Sequence, residues 1–520
     1  MDAVLARELE WLAPRAGVLA GMRRGLEKES LRVQPDGHLA QTPHAAAFGS
    51  ALTHPYITTD YSESLLELIT PATTSIAETL GFLDDLHRFI YAHLGNEELW
   101  VNSMPCILGD DDSIPLAQYG HSNIGRMKTL YRHGLGVRYG RRMQTIAGIH
   151  YNLSFPDSFW QAWQEKLGNT QSLADFRSEK YFGLVRNFQR RSWLLLYLLG
   201  ASPAVCGSFL RGREHKLQEC GRGTLYLPNA TSLRMSSLGY QNSVQSDLKV
   251  SYNGLDEYVR DLSHAIHTPY APFEQIGLRD AKGDYQQINT NILQIENEYY
   301  GLIRPKRTTE RGERPTTALS RRGVEYVELR CVDLNPFQPS GIDVTSAHFL
   351  EVFALHCLLS DSPPFTGVEY AGLPHNQQDM VEHGRDPELR LQVGGESVLF
   401  REQAERLLDE LAELAPLLDA AHGTLAYSQA IAQESRKLHD PGLTYSATIV
   451  RELREHDCSF FEFAQQTARK HGEHFRQRPL PQARMDELVA VAAASHQDQV
   501  AIEAADTLAF PDFLVAYFKD

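Results

Sequence analysis

A chain of 520 residues with 42% hydrophobic and 22% charged residues has the make-up of a soluble globular protein with a large core, spread by length over roughly two to four domains. Its formal net charge of −16 argues against nucleic-acid binding, which calls for a basic face, and against docking on anionic membrane. Six scattered cysteines (106, 206, 220, 331, 357 and 458) form no CxxC pair, so they suit inert thiols in a reducing compartment better than a disulfide framework or a zinc knuckle.

The opening stretch MDAVLARELEWLAPRAG carries Asp2, Arg7, Glu8 and Glu10 and lacks the apolar run of a secretory signal. Apolar spacing predicts helices over 5–21, 60–70 and 75–95, with a strand-like stretch over 22–34. In a strand, Glu27 and Glu29 point to one side of the sheet. Thr58-Thr59-Asp60 can cap the second helix, which then shows Asp60, Ser64 and Glu67 on one face. Gln144 to Phe155 alternates as a half-buried strand, with Gln144, His150 and Asn152 on its polar side. Ser192 to Leu210 holds 19 uncharged residues, long enough in principle to cross a bilayer. Gly200, Ser202, Pro203 and Gly207 break its second half, so a buried core helix ending near Gly200 is expected. A cytoplasmic protein follows.

Further along, Tyr285–Ile295 and Gly323–Asp333 are strand-like, and Glu328 and Arg330 share a face of the second. Beyond about residue 395 the pattern is helical, over Glu402–Ala421, Thr444–Arg454, Phe460–His474 and Met485–Asp506. Pro416, His439-Asp440-Pro441-Gly442 and Pro479-Leu480-Pro481 punctuate it. No regular βαβ alternation appears. The expectation is an α+β fold with an antiparallel or mixed sheet in residues 1–395 and a helical tail, 396–520, packed on it as one unit.

The chemistry-bearing residues are acids on otherwise apolar segments: Glu27, Glu29, Asp60, Glu67 and Glu328, with His150. Hard oxygen donors and one imidazole suit Mg²⁺ or Mn²⁺ better than zinc. An arginine beside them suits work on a polyphosphate, which points to an ATP-consuming enzyme. Each residue also has a plain structural account: a charged strand face, a helix cap, a satisfied core histidine, a surface ion pair. The familiar nucleotide loops are missing. Gly120-His121-Ser122-Asn123-Ile124-Gly125 begins like a P-loop, but Arg126-Met127 stand where Lys and Ser or Thr are required. Tyr131-Arg132, Arg234, Tyr240, Tyr299-Tyr300 and Ile303–Arg307 supply aromatic walls and guanidinium forks that suit an amino-acid substrate.

The segments GMRRGLEKESLRV, SALTHPYITTDYSESLLELITP, LAQYGHSNIGRMKTLYRHGL, MQTIAGIHYNLSF, LLGASPAVCGSFL, ATSLRMSSLGY, LQIENEYYGLIRPKR and GVEYVELRCVDLNPF together resemble the bacterial form of glutamate–cysteine ligase, from about residue 10 to the final AIEAADTLAFPDF. The resemblance implies a curved, largely antiparallel sheet forming a helix-covered funnel, related to the glutamine synthetase catalytic core. It implies Mg²⁺ or Mn²⁺ held by Glu27, Glu29, Asp60, Glu67, His150 and Glu328, with Arg330 reaching the transferred phosphoryl group and Arg234 holding the glutamate α-carboxylate. Tyr131, Gln144, Tyr240 and Tyr300 would line the cysteine pocket, with Tyr61 and Leu135 nearby, and Asn152 and Arg304 would meet ATP. Tyr61 stands where phenylalanine is expected.

The implied reaction is ATP-dependent joining of the L-glutamate γ-carboxylate to the L-cysteine amine through a γ-glutamyl phosphate, the first step of glutathione synthesis. Glutathione is the expected feedback inhibitor and a monomer the default state. A related ligase with another acceptor amine, and a non-catalytic paralogue that binds metal or glutathione, are the alternatives.

Overall fold

The computed structural model describes residues 2–105, 107–239, 248–310 and 312–519. Tyr240, one of the expected pocket residues, lies outside the described residues. The carboxylate of Asp2 accepts from Val4 N and Leu5 N and so caps α1 (Ala3–Leu12). A 3-10 turn then leads into β1 (Arg23–Val33), whose residues are buried along nearly its whole length, as a central strand requires.

β2 (Ile57–Thr59), β3 (Leu65–Ile69) and β4 (Glu98–Leu99) follow, with α2 (Ile76–His93) between the last two. α3 (Asn123–Tyr139) is capped by Ser122, which accepts from Gly125 N, and precedes β5 (Ile149–Ser154). α4 (Asp157–Lys166) and α5 (Leu173–Leu199) come next. Then β6 (Ala204–Cys206), β7 (Gln218–Glu219) and β8 (Thr224–Tyr226) form a small sheet of their own. β9 (Ile303–Lys306) and β10 (Tyr326–Val332) complete the main sheet, whose order is β2-β3-β1-β5-β10-β9 with β4 also on β1. Every pairing in it is antiparallel. With helices laid over it, this is an α+β fold with an open antiparallel sheet.

The register decides what the sheet can do. Glu29 lies opposite Glu67 across β1–β3, Glu27 opposite His150 across β1–β5, and Glu328 opposite both Asn152 and Arg304. Directly opposed residues of an antiparallel pair share a face. One face of five adjacent strands therefore carries all these side chains. The ladder shifts between Leu329 and Val332, a bulge that lies next to Arg330.

Four local expectations need correction. Residues 60–70 form a turn and strand β3, not a helix: Asp60 N bonds Leu65 O at 2.9 Å and Leu65 N bonds Ser62 O at 2.8 Å. LLELI is a short apolar run that fits either period, and pairing with β1 and β2 decides it. Tyr285–Ile295 is not a strand, because its amide side chains take up the local backbone groups. Gln294 accepts from Ile288 N, Asn289 accepts from Asn291 N, and Gln287 donates to Phe273 O and Gly277 O. Gln144 sits in a 3-10 turn, Arg142–Thr145, before the strand begins. Pro416 lies inside a continuous helix, Phe400–His422, held on both sides of the proline by buried Leu411, Leu414, Leu417 and Leu418.

The apolar run after Ser192 ends its helix at Leu199, and Gly200 is needed there. A Cβ on it would lie 2.5 Å from Leu196 O and 2.7 Å from Thr231 O. Among the described residues no helix is long and apolar enough to cross a membrane. One apolar cluster runs from Leu5 to Leu488 and includes Phe400, Leu411 and Leu418, so the tail and the sheet share a core. A second cluster joins Phe510 and Leu514 of the last helix, Phe510–Tyr517, to Met127 and Leu130 of α3.

Candidate active site

The polar face of the main sheet and the inner side of α3 enclose a cavity of about 330 Å³. Glu27, Glu29, Asp60, Glu67, His150 and Glu328 all line it, with Arg330 and Arg304. So do Tyr61, Tyr131, Leu135, Gln144 and Tyr300, which brings together nearly the whole sequence-predicted set. His150 is central. Its Nδ1 lies 3.0 Å from Glu27 Oε2 and 3.6 Å from Glu328 Oε1, and its Nε2 lies 3.8 Å from Glu29 Oε1.

The acids divide into two electrostatic environments. At the β1–β3 end, burial and then the Asp60 charge push the Glu29 carboxyl up to about 8. Burial and then Glu27, Asp60 and Glu29 hold Glu67 well above the usual carboxylate range. At the β10 end burial also works against the Glu328 anion, but Lys306 at 3.6 Å and Arg330 at 3.1 Å overcome it and hold the carboxyl well below that range. Desolvated carboxylates without enough cation beside them are destabilised as anions. The acid-rich end therefore suits an added divalent cation, and the Lys306–Arg330 end suits an anion.

The donor set passes a further test. Glu27, His150 and Glu328 each offer a ligand atom, and these atoms lie within 4.8 Å of one another. A backbone-anchored acid stands close by: Gly148 N donates to Glu29 Oε2 at 2.7 Å and fixes that carboxylate. Carboxylates with one imidazole fit Mg²⁺ or Mn²⁺.

Two predicted residues sit elsewhere. Arg234 is behind the cavity wall and 1% exposed, with Nη2 donating to Arg330 O at 2.9 Å and Nη1 3.5 Å from Asp333. Asn152 lines an adjoining hollow of about 380 Å³ and donates to Glu27 Oε1 at 3.0 Å, so it braces a site carboxylate from outside. Arg304 and Lys306 belong both to the main cavity and to a neighbouring hollow of about 300 Å³ lined by Tyr258, Thr308 and Thr316.

Sequence reasoning passed over Lys128, Tyr139 and Glu298, and noted Lys306 only within the basic run Ile303–Arg307. The signal for Lys128 was available: Lys128, Tyr131, Arg132 and Leu135 have the spacing of one helical face behind a Ser122 cap. Arg138 and Glu298 form a fully buried pair at 3.0 Å that fastens this helix to the segment before β9.

The chain matches the family model described as glutamate-cysteine ligase over residues 9–380. Among curated relatives it is 54% identical over 512 residues to the glutamate–cysteine ligase of Alcanivorax borkumensis, covering 98% of each chain. It is 50% identical over 522 residues to that of Azotobacter vinelandii, covering 99% of this chain and 98% of the relative. Its fold matches the crystal structure of glutamate–cysteine ligase from Francisella tularensis in complex with AMP, with a TM-score of 0.91 at 36% identity over 96% of this chain and 98% of that one. A bifunctional glutathione synthetase from Pasteurella multocida matches with a TM-score of 0.74 at 26% identity, over 94% of this chain and 58% of that longer one. On its sequence over most of its length, its sheet and the acids that sheet gathers, the chain belongs to the glutamate–cysteine ligase family.

Proposed function

We propose that this ligase joins the γ-carboxylate of L-glutamate to the amine of L-cysteine with hydrolysis of ATP to ADP and phosphate, and that the cavity over the main sheet is where it does so. The observation that carries the proposal is the division of the cavity into a cation-hungry end at Glu29 and Glu67 and an anion-receiving end at Lys306 and Arg330. A carboxylate resists attack by an amine because oxide is a poor leaving group. Phosphorylation of the γ-carboxylate by the terminal phosphoryl group of ATP makes an acyl phosphate. The cysteine amine then attacks the acyl carbon, the C–O bond to phosphate breaks, and phosphate leaves with its electron pair as the amine loses a proton.

Glu27, Glu29, Asp60, Glu67, His150 and Glu328 would hold Mg²⁺ or Mn²⁺. Such ions, when bound, neutralise phosphate oxygens and orient them for in-line transfer. The Glu27 carboxylate accepts from His150 Nδ1–H, which fixes the ring in the centre of the site. Glu328 keeps Arg330 extended over the cavity, where the guanidinium can meet the transferred phosphoryl oxygens. Arg304 and Lys306, at the junction with the second hollow, stand where a nucleotide would thread between the two. The nucleotide bound by the Francisella relative supports ATP as the co-substrate here.

Tyr131, Leu135, Tyr61, Gln144 and Tyr300 form the wall assigned to cysteine. Arg234 is assigned to the glutamate α-carboxylate, which it can meet by trading its bond to the Arg330 carbonyl for one to substrate. We further assign the enzyme to the cytoplasm as a monomer inhibited by glutathione, whose γ-glutamyl-cysteinyl part repeats the bound substrates. Residues 1–395 would be the catalytic part, braced by 396–520. The test is ADP release from purified protein with ATP, Mg²⁺ and L-glutamate, with and without L-cysteine, the product being identified by mass. Cysteine-dependent γ-glutamylcysteine formation is expected. ADP release with a faster product from another amine would displace cysteine as acceptor.

A further inference from the structure

We propose that Lys128 receives the carboxylate of the acceptor amino acid, and so makes the enzyme prefer amino acids over simple amines. This rests on the ligase assignment and on the placing of the acceptor against α3. The cavity-facing side of α3 carries Lys128, Tyr131, Arg132 and Leu135, one continuous helical face. The other cations of the cavity are engaged. Arg330 and Lys306 pair with Glu328, at 3.1 and 3.6 Å. Arg304 donates to Asn297 O and Tyr299 O, and Arg132 donates to Asp60 O and Lys128 O.

Lys128 differs from all of them. Among the described residues its ammonium has neither an ion-pair partner nor a hydrogen bond, and it lies 5.3 Å from the centre of the Tyr119 ring, over which Arg132 also sits at 4.5 Å. The Glu67 carboxylate acts on this ammonium across the cavity without touching it, and burial outweighs that attraction. A half-buried ammonium with no anion in contact is under-solvated, and an incoming anion meets it at little desolvation cost. The phosphates have their own cations at the Arg304–Lys306–Arg330 end, and the glutamate α-carboxylate is assigned to Arg234. The remaining substrate anion is the carboxylate of the acceptor. An acceptor whose thiol and backbone lie along Tyr131 and Leu135 brings that carboxylate within one helical turn of Lys128.

The experiment compares L-cysteine with cysteamine, which keeps the amine and thiol and lacks the carboxylate, at saturating ATP and glutamate. For Lys128→Met the kcat/KM for cysteine should fall on the order of 10²-fold, mostly through KM, as expected for loss of a charge-assisted contact. That for cysteamine should stay within about twofold, since no contact to it is lost. The glutamate KM should not move, and Lys128→Arg should restore part of the cysteine preference. If cysteamine is turned over too slowly to follow, its Ki against cysteine is compared with that of 3-mercaptopropionate, and only the latter should rise. Lys128→Gln serves in the same assay if the methionine variant is unstable. An equal fall for both acceptors, or a rise in the glutamate KM instead, would overturn the role given to Lys128. Failure of the wild-type enzyme to ligate any amine would overturn the ligase assignment itself.

Discussion

Glu328 shows how much of this site is a matter of single residues. It is 1% exposed, faces His150, and holds two cations by one carboxylate oxygen. Glu328→Gln keeps the shape and removes the charge. The variant should fold, as read by near-ultraviolet circular dichroism, while its Mg²⁺ requirement rises and its turnover falls. The loss should be at least the roughly 10–100-fold that removal of even an outer-shell metal partner costs. Wild-type activity at limiting Mg²⁺ would exclude Glu328 as a ligand. Arg234 calls for a different experiment. Its partner Asp333 is fully buried and also accepts from Ala201 N and Ser202 Oγ. Arg234→Ala strands that carboxylate, at a cost of about 3–5 kcal/mol. A rise in glutamate KM in that variant would mix binding with destabilisation. The double variant Arg234→Ala/Asp333→Asn should recover part of the lost thermal midpoint while the glutamate KM stays high. Recovery of both together would make Arg234 a structural residue only.

At the scale of elements, the cavity wall formed by α3 depends on a segment far away in sequence. Asn123 N donates to Asp506, Asn123 Nδ2 donates to Leu508 O at 2.9 Å, and His121 N donates to Glu503 at 2.8 Å. Phe510 and Leu514 close the packing on Met127 and Leu130, and Arg126 stacks 4.2 Å over the Phe510 ring. Deleting residues 507–520 should therefore loosen α3 and raise the KM for cysteine several-fold, with a smaller change for ATP; equal changes in the two would contradict a specific brace. The same element marks the limit of sequence reading. The acids were legible because β1, β5 and β10 each put two polar residues at strand spacing among apolar ones, and because Asp60 and Glu67 stood at helical spacing in another apolar segment. Their true arrangement was not legible. Asp60 and Glu67 were placed on one helix, yet they reach the cavity from a turn and a strand, because the pairing Glu29↔Glu67 is a long-range contact that no local pattern encodes. Lys128 escaped notice for the opposite reason: its local spacing was plain, but only the packing of α3 over the sheet shows which helical face is inside. Gln287, Asn289 and Gln294 escaped notice because amide side chains substitute for a ladder without leaving a period behind.

Across the whole molecule the tail and the sheet are tied through residues 46–57. Ser50 N donates to Ser495 Oγ at 2.9 Å, Thr53 Oγ1 donates to Ser495 O at 2.5 Å, and His496 approaches Ala46 O at 2.9 Å. His54 holds this segment against β2 by accepting at Nδ1 from Tyr56 N at 3.1 Å and Ile57 N at 2.8 Å. A nitrogen that accepts two backbone hydrogen bonds cannot carry a proton without losing them. Burial, and then the neighbouring His496, accordingly push the His54 imidazolium down from its ordinary 6.5 to about 4. Between these values the unfolded chain binds a proton that the folded chain refuses, so folding stability falls as pH falls from 6.5 toward 4 and is fully present above 6.5. The size of this contribution is about 3 kcal/mol, a sizeable part of the roughly 5–15 kcal/mol that holds a domain folded. Acid should therefore unfold the protein from this junction, releasing the tail helices from the sheet. Asparagine at position 54 removes the titration and keeps an acceptor at the same reach, since an Asn side-chain oxygen commonly bonds the backbone two residues on. Urea unfolding of wild type and His54→Asn from pH 7.5 to 4.5 should then show equal stability at the upper end and a shallower decline for the variant. Parallel declines would mean that other buried groups, not His54, set the acid sensitivity of the fold.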